Sequence, residues 1–216
     1  MGVSDCCGEW QDMRAEAIRS LLTQVVPHGE VVSLTGLRIT EPLRLFGATV
    51  ASVDFSGSVF EQPVSFSGAH FSGLCWFKSC VFKSVADFSK GAFSNDARFD
   101  GTCFQADALF DEVEINGISV FDKAIFKGPA RFNGAKLLGN FSLAGARFES
   151  GANFRGLECL GGLWLEETWF AERANLHALD VHGRTWLKRA RIAGQSEAAS
   201  ADVFAKAITS YGYQWR

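Results

Sequence analysis

The amino-acid sequence predicts an all-β solenoid, a rod in which very short strands stack in successive coils. The first observation is a period, because phenylalanine recurs from Phe55 onward in steps that alternate between five and six residues. The second is composition: 20 Phe against 2 Tyr, and 22 Gly against 4 Pro, indicate a repeated slot of fixed shape. The third is that the spacing of three and four residues typical of an amphipathic helix is absent from this region.

A ladder of apolar residues runs through most of the chain. From Phe55 to Ile192 the period defines 26 positions, of which 17 are Phe and nine are aliphatic or Cys, and none is polar. Residues 34–50 keep the same alternation, but one residue is missing before Phe55. We expect this slip to mark an earlier coil that joins the regular region through a tightened corner.

Small residues and glycines flank the ladder positions in a fixed pattern. A small side chain such as Ala usually stands two residues before a ladder position, and Gly often stands two residues after it. Alternation of inward and outward side chains is strand geometry, and Gly favours the turn that follows. Each half of the eleven-residue period is therefore predicted to be a short strand that ends at a corner.

In segments such as ADFSKGAF, ARFDGTCF and ARFNGAKL, the chain resembles the pentapeptide-repeat family in its phenylalanine-centred form. The resemblance extends over residues 34–192, and this sequence departs from the plain unit by inserting one residue in every second unit. It implies a right-handed quadrilateral parallel β-helix. Four faces then use two periods, or 22 residues, in each of about seven coils.

The N-terminal end of such a rod is an open sheet edge that needs a cover. Apolar residues recur at helical spacing from Trp10 to Val25, and Pro27 ends the pattern. We therefore expect residues 1–33 to form a capping helix and its lead-in, followed by the β-helix over residues 34–194.

The C-terminal end has a second candidate helix. Residues 195–216 are predicted to form a helix that Ser196 caps, that continues through Tyr211 and that Gly212 closes. This helix either covers the core or carries a homodimer contact, as it does in some members of the pentapeptide-repeat family.

The 22-residue coil sorts the outward residues into columns, and two columns contain candidates for a binding surface. One column begins with an apolar stripe that the fold does not require, and the other brings Trp164 directly against Trp186 outside the rod. Exposed apolar stripes often mark contact surfaces, and Trp is favoured at binding hot spots. The stripe either contacts a partner or a second copy of the chain, or it lies under a terminal segment. The predicted binding residues are Trp76, Trp164, Trp169, Trp186, Val59, Val81 and Ile125.

Acidic residues concentrate in one section of the rod. Residues 85–122 contain eight acidic and two basic side chains, whereas residues 123–192 contain six acidic and eleven basic ones. The resemblance gives such a band a function, because some relatives resemble duplex DNA, bind a type II topoisomerase such as DNA gyrase, and confer antibiotic resistance or self-immunity. A solvated band without a partner is the alternative. The predicted acidic band contains Asp96, Asp100, Asp107, Asp111, Glu112 and Glu114.

The alternative function is an enzyme of a biosynthetic pathway, which would use the tryptophan-lined surface of the C-terminal coils as a small-molecule site. Carboxylates and imidazoles beside an aromatic surface can perform general acid–base catalysis. The two histidines follow ladder positions on successive faces and are expected to diverge, and no nucleophile elbow, phosphate loop or HExxH motif is present. The candidate catalytic residues are His177, His182, Glu166 and Asp180.

Composition and charge exclude several other classes. The net charge of −3 gives no case for direct nucleic-acid binding, and no apolar run reaches the length of a membrane span. Six Cys residues without short-domain spacing are typical of reduced thiols in the cytoplasm. Cys75 and Cys80 take small slots on different faces, so we expect neither a metal site nor a cofactor. The sequence predicts a non-enzymatic interaction module, with DNA mimicry as its most specific form.

Overall fold

The computed structural model describes residues 11–24, 27, 30–172 and 174–215. In these residues, short parallel strands form four sheets, and the sheets are the four faces of a β-helix with about eight turns. We number the faces in the order in which the chain visits them from Val32 onward. This confirms the predicted right-handed quadrilateral parallel β-helix.

Faces 1 and 2 each contain nine strands. The strands of face 1 are Val32–Ser33, Val53–Asp54, Cys75–Trp76, Ala97–Arg98, Ser119–Val120, Phe141–Ser142, Leu163–Trp164, Thr185–Trp186 and Gln214–Trp215. The strands of face 2 are Gln11–Asp12, Leu37–Ile39, Val59–Phe60, Val81–Phe82, Cys103–Phe104, Ile125–Phe126, Arg147–Phe148, Trp169–Phe170 and Arg191–Ile192.

Faces 3 and 4 contain six and eight strands. The strands of face 3 are Leu43–Arg44, Val64–Ser65, Ala86–Asp87, Ala108–Leu109, Ala130–Arg131 and Ala152–Asn153. The strands of face 4 are Thr49–Val50, His70–Phe71, Ala92–Phe93, Glu114–Ile115, Lys136–Leu137, Glu158–Cys159, Leu179–Val181 and Ile208–Ser210.

The strand register confirms the 22-residue coil. Cys75 pairs with Ala97, and Ala97 pairs with Ser119, so equivalent residues in the regular region are 22 positions apart. The first coil is one residue shorter, because Val32 pairs with Val53. About eight turns result instead of the seven expected, because the residues that follow the C-terminal helix return to two of the faces.

The ladder residues fill the interior of the rod with stacked rings. Phe99 lies between Phe77 and Phe121, with ring centroids 5.0 and 4.7 Å away and ring planes within 7° of parallel. Rings on different faces meet edge to face, as Phe88 and Phe99 do at 5.2 Å and 85°. Aromatic pairs in these geometries contribute about 0.5–1.5 kcal/mol each beyond burial. The middle of the core is therefore largely aromatic, and aliphatic residues continue it toward both ends of the rod.

Polar atoms in the small slots that precede the face 2 strands are satisfied by carbonyl groups of the previous coil. The Cys80 thiol donates to the Phe55 carbonyl at 3.0 Å, and the Thr168 hydroxyl donates to the Leu143 carbonyl at 2.8 Å. The Ser119 hydroxyl, in a small slot on face 1, is buried without a hydrogen-bond partner among the described residues, so the satisfaction of polar atoms is a property of the corner slots.

Glycine serves the corners in two different ways. At the corners between faces 1 and 2 and between faces 3 and 4, the second residue has a positive φ, as Gly57 does at 73°. At the corner between faces 4 and 1 the requirement is space, because a Cβ on Gly161 would lie 2.4 Å from the Gly139 carbonyl oxygen. The sequence-based assignment of glycine to turns therefore holds at the first type of corner, and close coil-to-coil approach explains the second.

The N-terminal end is covered by helix α1, Ala15–Leu22, which buries Ile18 and Leu22 against the core. The amide of Ala51 donates to the Leu22 carbonyl at 3.1 Å, in the corner from which one residue is missing. The prediction of a helix over residues 10–25 is therefore partly wrong: Gln11–Asp12 is a strand on face 2, and Trp10 and Val25 lie outside the described residues.

The C-terminal end is covered by helix α2, Glu197–Ala207, and the Ser196 side chain caps it by accepting from the amide of Ala199. Helix α2 packs Phe204 against Phe170, with ring centroids 5.5 Å apart, and takes the place of a face 3 strand in the last coil. Among the described residues, no helix is long and apolar enough to cross a membrane.

The predicted extension of this helix to Tyr211 is wrong. The chain leaves the helix at Ile208, which is buried, and the next residues form the last strands of faces 4 and 1. Gly212 does not close a helix, because a Cβ there would lie 2.2 Å from the Gly183 carbonyl oxygen. Gly212 instead extends the row of close-approach glycines by one coil.

Replacing Phe99 by Asp tests the ladder. Phe99 is fully buried between two parallel rings, so the substitution removes both stacking contacts and buries a charge. We expect a loss of more than about 5 kcal/mol of folding free energy, enough to unfold the rod. Circular dichroism and size-exclusion chromatography measure the outcome. Gln105→Asp, at an exposed position, is the matched control and should stay folded; a folded Phe99→Asp variant would contradict the register.

Alkylation by iodoacetamide, mapped by mass spectrometry, tests the burial of the thiols. Burial raises the pKa of Cys75 and Cys80 far above the usual thiol range and that of Cys159 to about 12, so we expect all three to remain unmodified in the folded protein. Cys103 is half-buried and should react. Because burial also raises the pKa of Cys103, its rate should keep rising above the ordinary thiol value of about 8.5. Rapid modification of Cys75 or Cys80 would contradict this packing.

Candidate interaction surface

Face 1 carries a stack of tryptophans outside the rod at its C-terminal end. The strand register places Trp164 beside Trp186, and their ring centroids are 4.3 Å apart with planes 11° from parallel, as the sequence predicts. Trp215 follows on the other side of Trp186, with its ring centroid 5.0 Å away and its plane tilted by 38°. Tyr213 meets the Trp215 ring edge to face at 4.9 Å. The stack is therefore longer than the sequence predicts.

Exposed apolar side chains lie at the adjoining corner between faces 4 and 1. Leu138 and Leu160 are each 47% exposed, and Tyr211 and Tyr213 are 67% and 64% exposed. Leu138 and Leu160 each follow a ladder position directly, where most residues are polar, and they are one coil apart. That departure from the pattern was visible in the sequence and could have revealed this edge.

A row of residues without side chains lies between this edge and the tryptophans. Gly139, Gly161, Gly183 and Gly212 approach each other closely from coil to coil. The Trp164 ring extends toward the same corner, because a Cβ on Gly162 would lie 2.8 Å from it. We call the whole surface the aromatic patch, which consists of Trp164, Trp186, Trp215, Tyr211, Tyr213, Leu138 and Leu160.

Most acidic residues at the border of the aromatic patch lie beside a basic or imidazole group. Glu158 binds His182 at 3.2 Å, and the His182 ring lies 5.0 Å from that of Tyr211. On the other side, Arg189 forms ion pairs with Glu166, at 3.8 Å, and with Glu167.

The basic residues at the same border are not all paired. The Arg184 guanidinium lies over the Trp215 ring, 5.6 Å from its centroid. Arg184 and Lys188 are exposed, and neither forms an ion pair with any residue that the structure describes. The border therefore carries charges of both signs, because Asp180, beside Glu158 on face 4, forms no ion pair with a described residue either.

The other two predicted tryptophans lie elsewhere. Trp76 is on face 1, but Arg98, Val120 and Ser142 separate it from Trp164 along the column. The ammonium group of Lys78 covers the Trp76 ring at 4.4 Å.

Trp169 is on face 2, where the Arg147 guanidinium lies 4.6 Å from its ring centroid. The apolar stripe of Val59, Val81, Cys103 and Ile125 is on the same face, in the column that the sequence predicts. Val59 is only 9% exposed, and the other three residues are half-buried. The stripe is thus less accessible than the aromatic patch.

The acidic band surrounds the rod instead of forming one face. Asp100 is at the corner of faces 1 and 2, Asp107 at that of faces 2 and 3, Asp111 and Glu112 at that of faces 3 and 4, and Glu114 on face 4. Asp96 lies at the remaining corner and accepts from the amide of Ile118 at 2.9 Å.

Half of the band is neutralised locally. Arg98 donates two hydrogen bonds to Asp100, at 2.7 and 2.9 Å, Arg131 pairs with Asp111, and Lys136 lies 3.8 Å from Glu114. The band is therefore not a continuous acidic surface of the kind that duplex DNA presents.

The four candidate catalytic residues do not converge. Glu166 is at the corner of faces 1 and 2, His177 at that of faces 3 and 4, Asp180 on face 4 and His182 at the corner of faces 4 and 1. His177 borders an open depression beside Ala178 and Ala207, which none of the other three lines. Among the described residues, no group of three His, Cys, Asp or Glu side chains could hold a metal ion.

Comparison with known proteins agrees with this architecture. The family model for pentapeptide repeats matches in nine copies, over residues 45–90, 66–114 and 110–158. No curated protein matched the sequence. The matched residues make up more than half of the chain and coincide with the regular coils. The chain belongs to the pentapeptide-repeat family.

Proposed function

We propose that this protein is a non-enzymatic interaction module that binds a partner protein through the aromatic patch. The observation that carries the proposal is the stack of Trp164, Trp186 and Trp215, which lies outside a core that is already complete. Trp and Tyr are enriched at the energetic centres of protein interfaces, and exposed apolar patches commonly mark such sites. Membership of a family of repeat proteins that act in protein interactions supports the same conclusion.

The rigidity of the rod favours this function. Backbone hydrogen bonds join every coil to the next, as in the bond from the Leu165 amide to the Trp186 carbonyl at 2.8 Å. The side chains of the patch are thus held in register before a partner arrives, which lowers the entropic cost of binding.

A type II topoisomerase, such as DNA gyrase, is the most specific partner that we propose, with antibiotic resistance or self-immunity as the biological outcome in the cytoplasm. The rod shape that this chain shares with its family supports a type II topoisomerase as the partner. DNA mimicry would depend on the acidic residues without an ion pair, such as Asp107 and Glu112. A homodimer formed through helix α2 or through the apolar stripe is compatible with partner binding by the aromatic patch or by the acidic band, and it stays a proposal.

A supercoiling assay with DNA gyrase and a fluoroquinolone tests the partner and the surface together. We expect wild-type protein to protect gyrase, and Trp186→Ala to require at least about tenfold more protein for equal protection. Trp76→Ala is the matched control, because Trp76 is an outward tryptophan on the same face but outside the patch, and it should protect normally.

Three outcomes would contradict parts of the proposal. Absence of protection at any ratio excludes gyrase as the partner. Equal losses in Trp76→Ala and Trp186→Ala contradict the aromatic patch as the surface. If the charge reversals Asp107→Lys and Glu112→Lys abolish protection while Trp186→Ala does not, the acidic band is the binding surface.

A further inference from the structure

We propose that the C-terminal edge of face 3 binds an extended segment of a partner protein as an added parallel strand, with small side chains where the segment faces helix α2. This edge, which we call the face 3 edge, consists of residues 174–178 and lies one coil beyond the strand Ala152–Asn153. The aromatic patch lies elsewhere, on face 1 and at the corner of faces 4 and 1. The inference therefore goes beyond the proposed function and does not depend on it.

Face 3 ends earlier than its neighbours at this end of the rod. Face 4 continues by one more strand, Ile208–Ser210, and face 1 continues by Gln214–Trp215. On face 2, helix α2 caps the last strand, because the Ile192 amide donates to the Ser200 hydroxyl at 3.0 Å. Helix α2 makes no such hydrogen bond to the face 3 edge among the described residues. An unpaired edge of this kind is a template for another strand.

The face 3 edge carries backbone amides without acceptors. In the coil below, the amides of Phe154 and Gly156 donate to carbonyl groups of the edge at 2.8 and 2.9 Å. The equivalent amides one coil later, those of Leu176 and Ala178, donate to no acceptor among the described residues. Leu176 is only 5% exposed, and an unpaired amide in such a position costs free energy until an acceptor reaches it.

The same edge offers a backbone acceptor. The Ala152 carbonyl accepts from the Asn175 amide at 2.9 Å, whereas the equivalent Ala174 carbonyl accepts from no described residue. A ligand residue that donates its amide to Ala174 would present its own carbonyl to the Leu176 amide. The ligand residue two positions later would present its carbonyl to the Ala178 amide. This set of groups is complementary to an extended chain, and strand addition to a sheet edge derives its affinity from such main-chain hydrogen bonds.

The structure has room for this chain. A depression of about 490 Å³, lined by residues 174–178 and Ala207, lies beside the face 3 edge. Its volume is within the range of ligand-binding clefts.

Helix α2 limits what the segment can carry. Phe204 is fully buried and fills the core beyond the depression, and Val203 packs against the same core. Side chains of the segment that point inward would meet this helix, so they must be small. Those that point outward would continue the column of Asn153 and Asn175, where polar side chains are accommodated.

NMR titration of the full chain with a peptide containing Ala-Asn-Ala-Arg tests the inference. The peptide copies Asn153 and Arg155 of the coil below at its outward positions and has Ala at both inward positions. We expect saturable shifts of the Leu176 and Ala178 amides at up to millimolar peptide. Both amides should exchange their hydrogens at least about tenfold more slowly in the bound state.

Backbone-methylated peptides test the register. N-methylation of the Asn amide removes the donor to Ala174 and should weaken binding at least about tenfold. N-methylation of the Ala that follows is the matched control, because that amide would point away from the edge, and binding should be unchanged. Replacing this same Ala by Trp should weaken binding, because helix α2 leaves no room for a large inward side chain.

Two protein variants test the place of binding. Ala207→Trp fills the depression and should weaken binding at least about tenfold. Ala198→Trp is the matched control, because Ala198 lies beside Leu187 and Arg189 at a separate depression on the same helix. Trp186→Ala, in the aromatic patch, should bind the peptide normally.

Specific outcomes would overturn the inference. Absence of binding at millimolar peptide excludes strand addition, and equal binding of the two methylated peptides contradicts the backbone pairing. Unchanged binding by Ala207→Trp places the peptide elsewhere. If the Leu176 and Ala178 amides are protected without peptide and lose this protection on dilution of the protein, a second copy of the chain occupies the edge instead. None of these outcomes bears on gyrase protection, which tests the proposed function separately.

Discussion

Stacking of each core phenylalanine on its equivalent one coil away is the interaction on which the rest of this structure depends. A strand of two residues has no stability alone, and a single coil cannot bury its own apolar side chains. Parallel stacking, as between Phe88 and Phe110 at 4.9 Å and 1°, requires equal numbers of residues in successive coils. The ladder therefore fixes the register of every strand in the regular region.

That register also determines the surface. Once the core positions are aligned, the residue beside each of them is aligned with its equivalent outside the rod, whatever its chemistry. Trp164 and Trp186 stack because Leu143, Leu165 and Leu187 follow one another inside. Because the rod already holds the backbone in register, an exposed aromatic stack on it costs little additional conformational entropy. This explains how a repetitive fold can present a specific surface.

The period in the sequence was sufficient to predict the coils, the interior residues and the Trp164–Trp186 contact. It could not place Trp215, because helix α2 interrupts the period and Thr185 pairs with Gln214, 29 residues later. It also could not predict ion pairs such as that of Arg98 with Asp100, which depend on side-chain conformation. Leu160 is different, because its position in the period is fixed and its apolar side chain at a mostly polar position is itself a sequence signal for an exposed contact.

The central claim is that the exposed tryptophans serve binding and not folding. The most direct measurement compares wild-type protein with the Trp164→Ala/Trp186→Ala double variant in thermal unfolding and in protection of DNA gyrase from a fluoroquinolone. We expect the midpoint of unfolding to fall by less than about 5 °C, since both side chains lie outside the core, while protection is lost. Unfolding of the double variant, or unchanged protection by a folded one, would contradict the account.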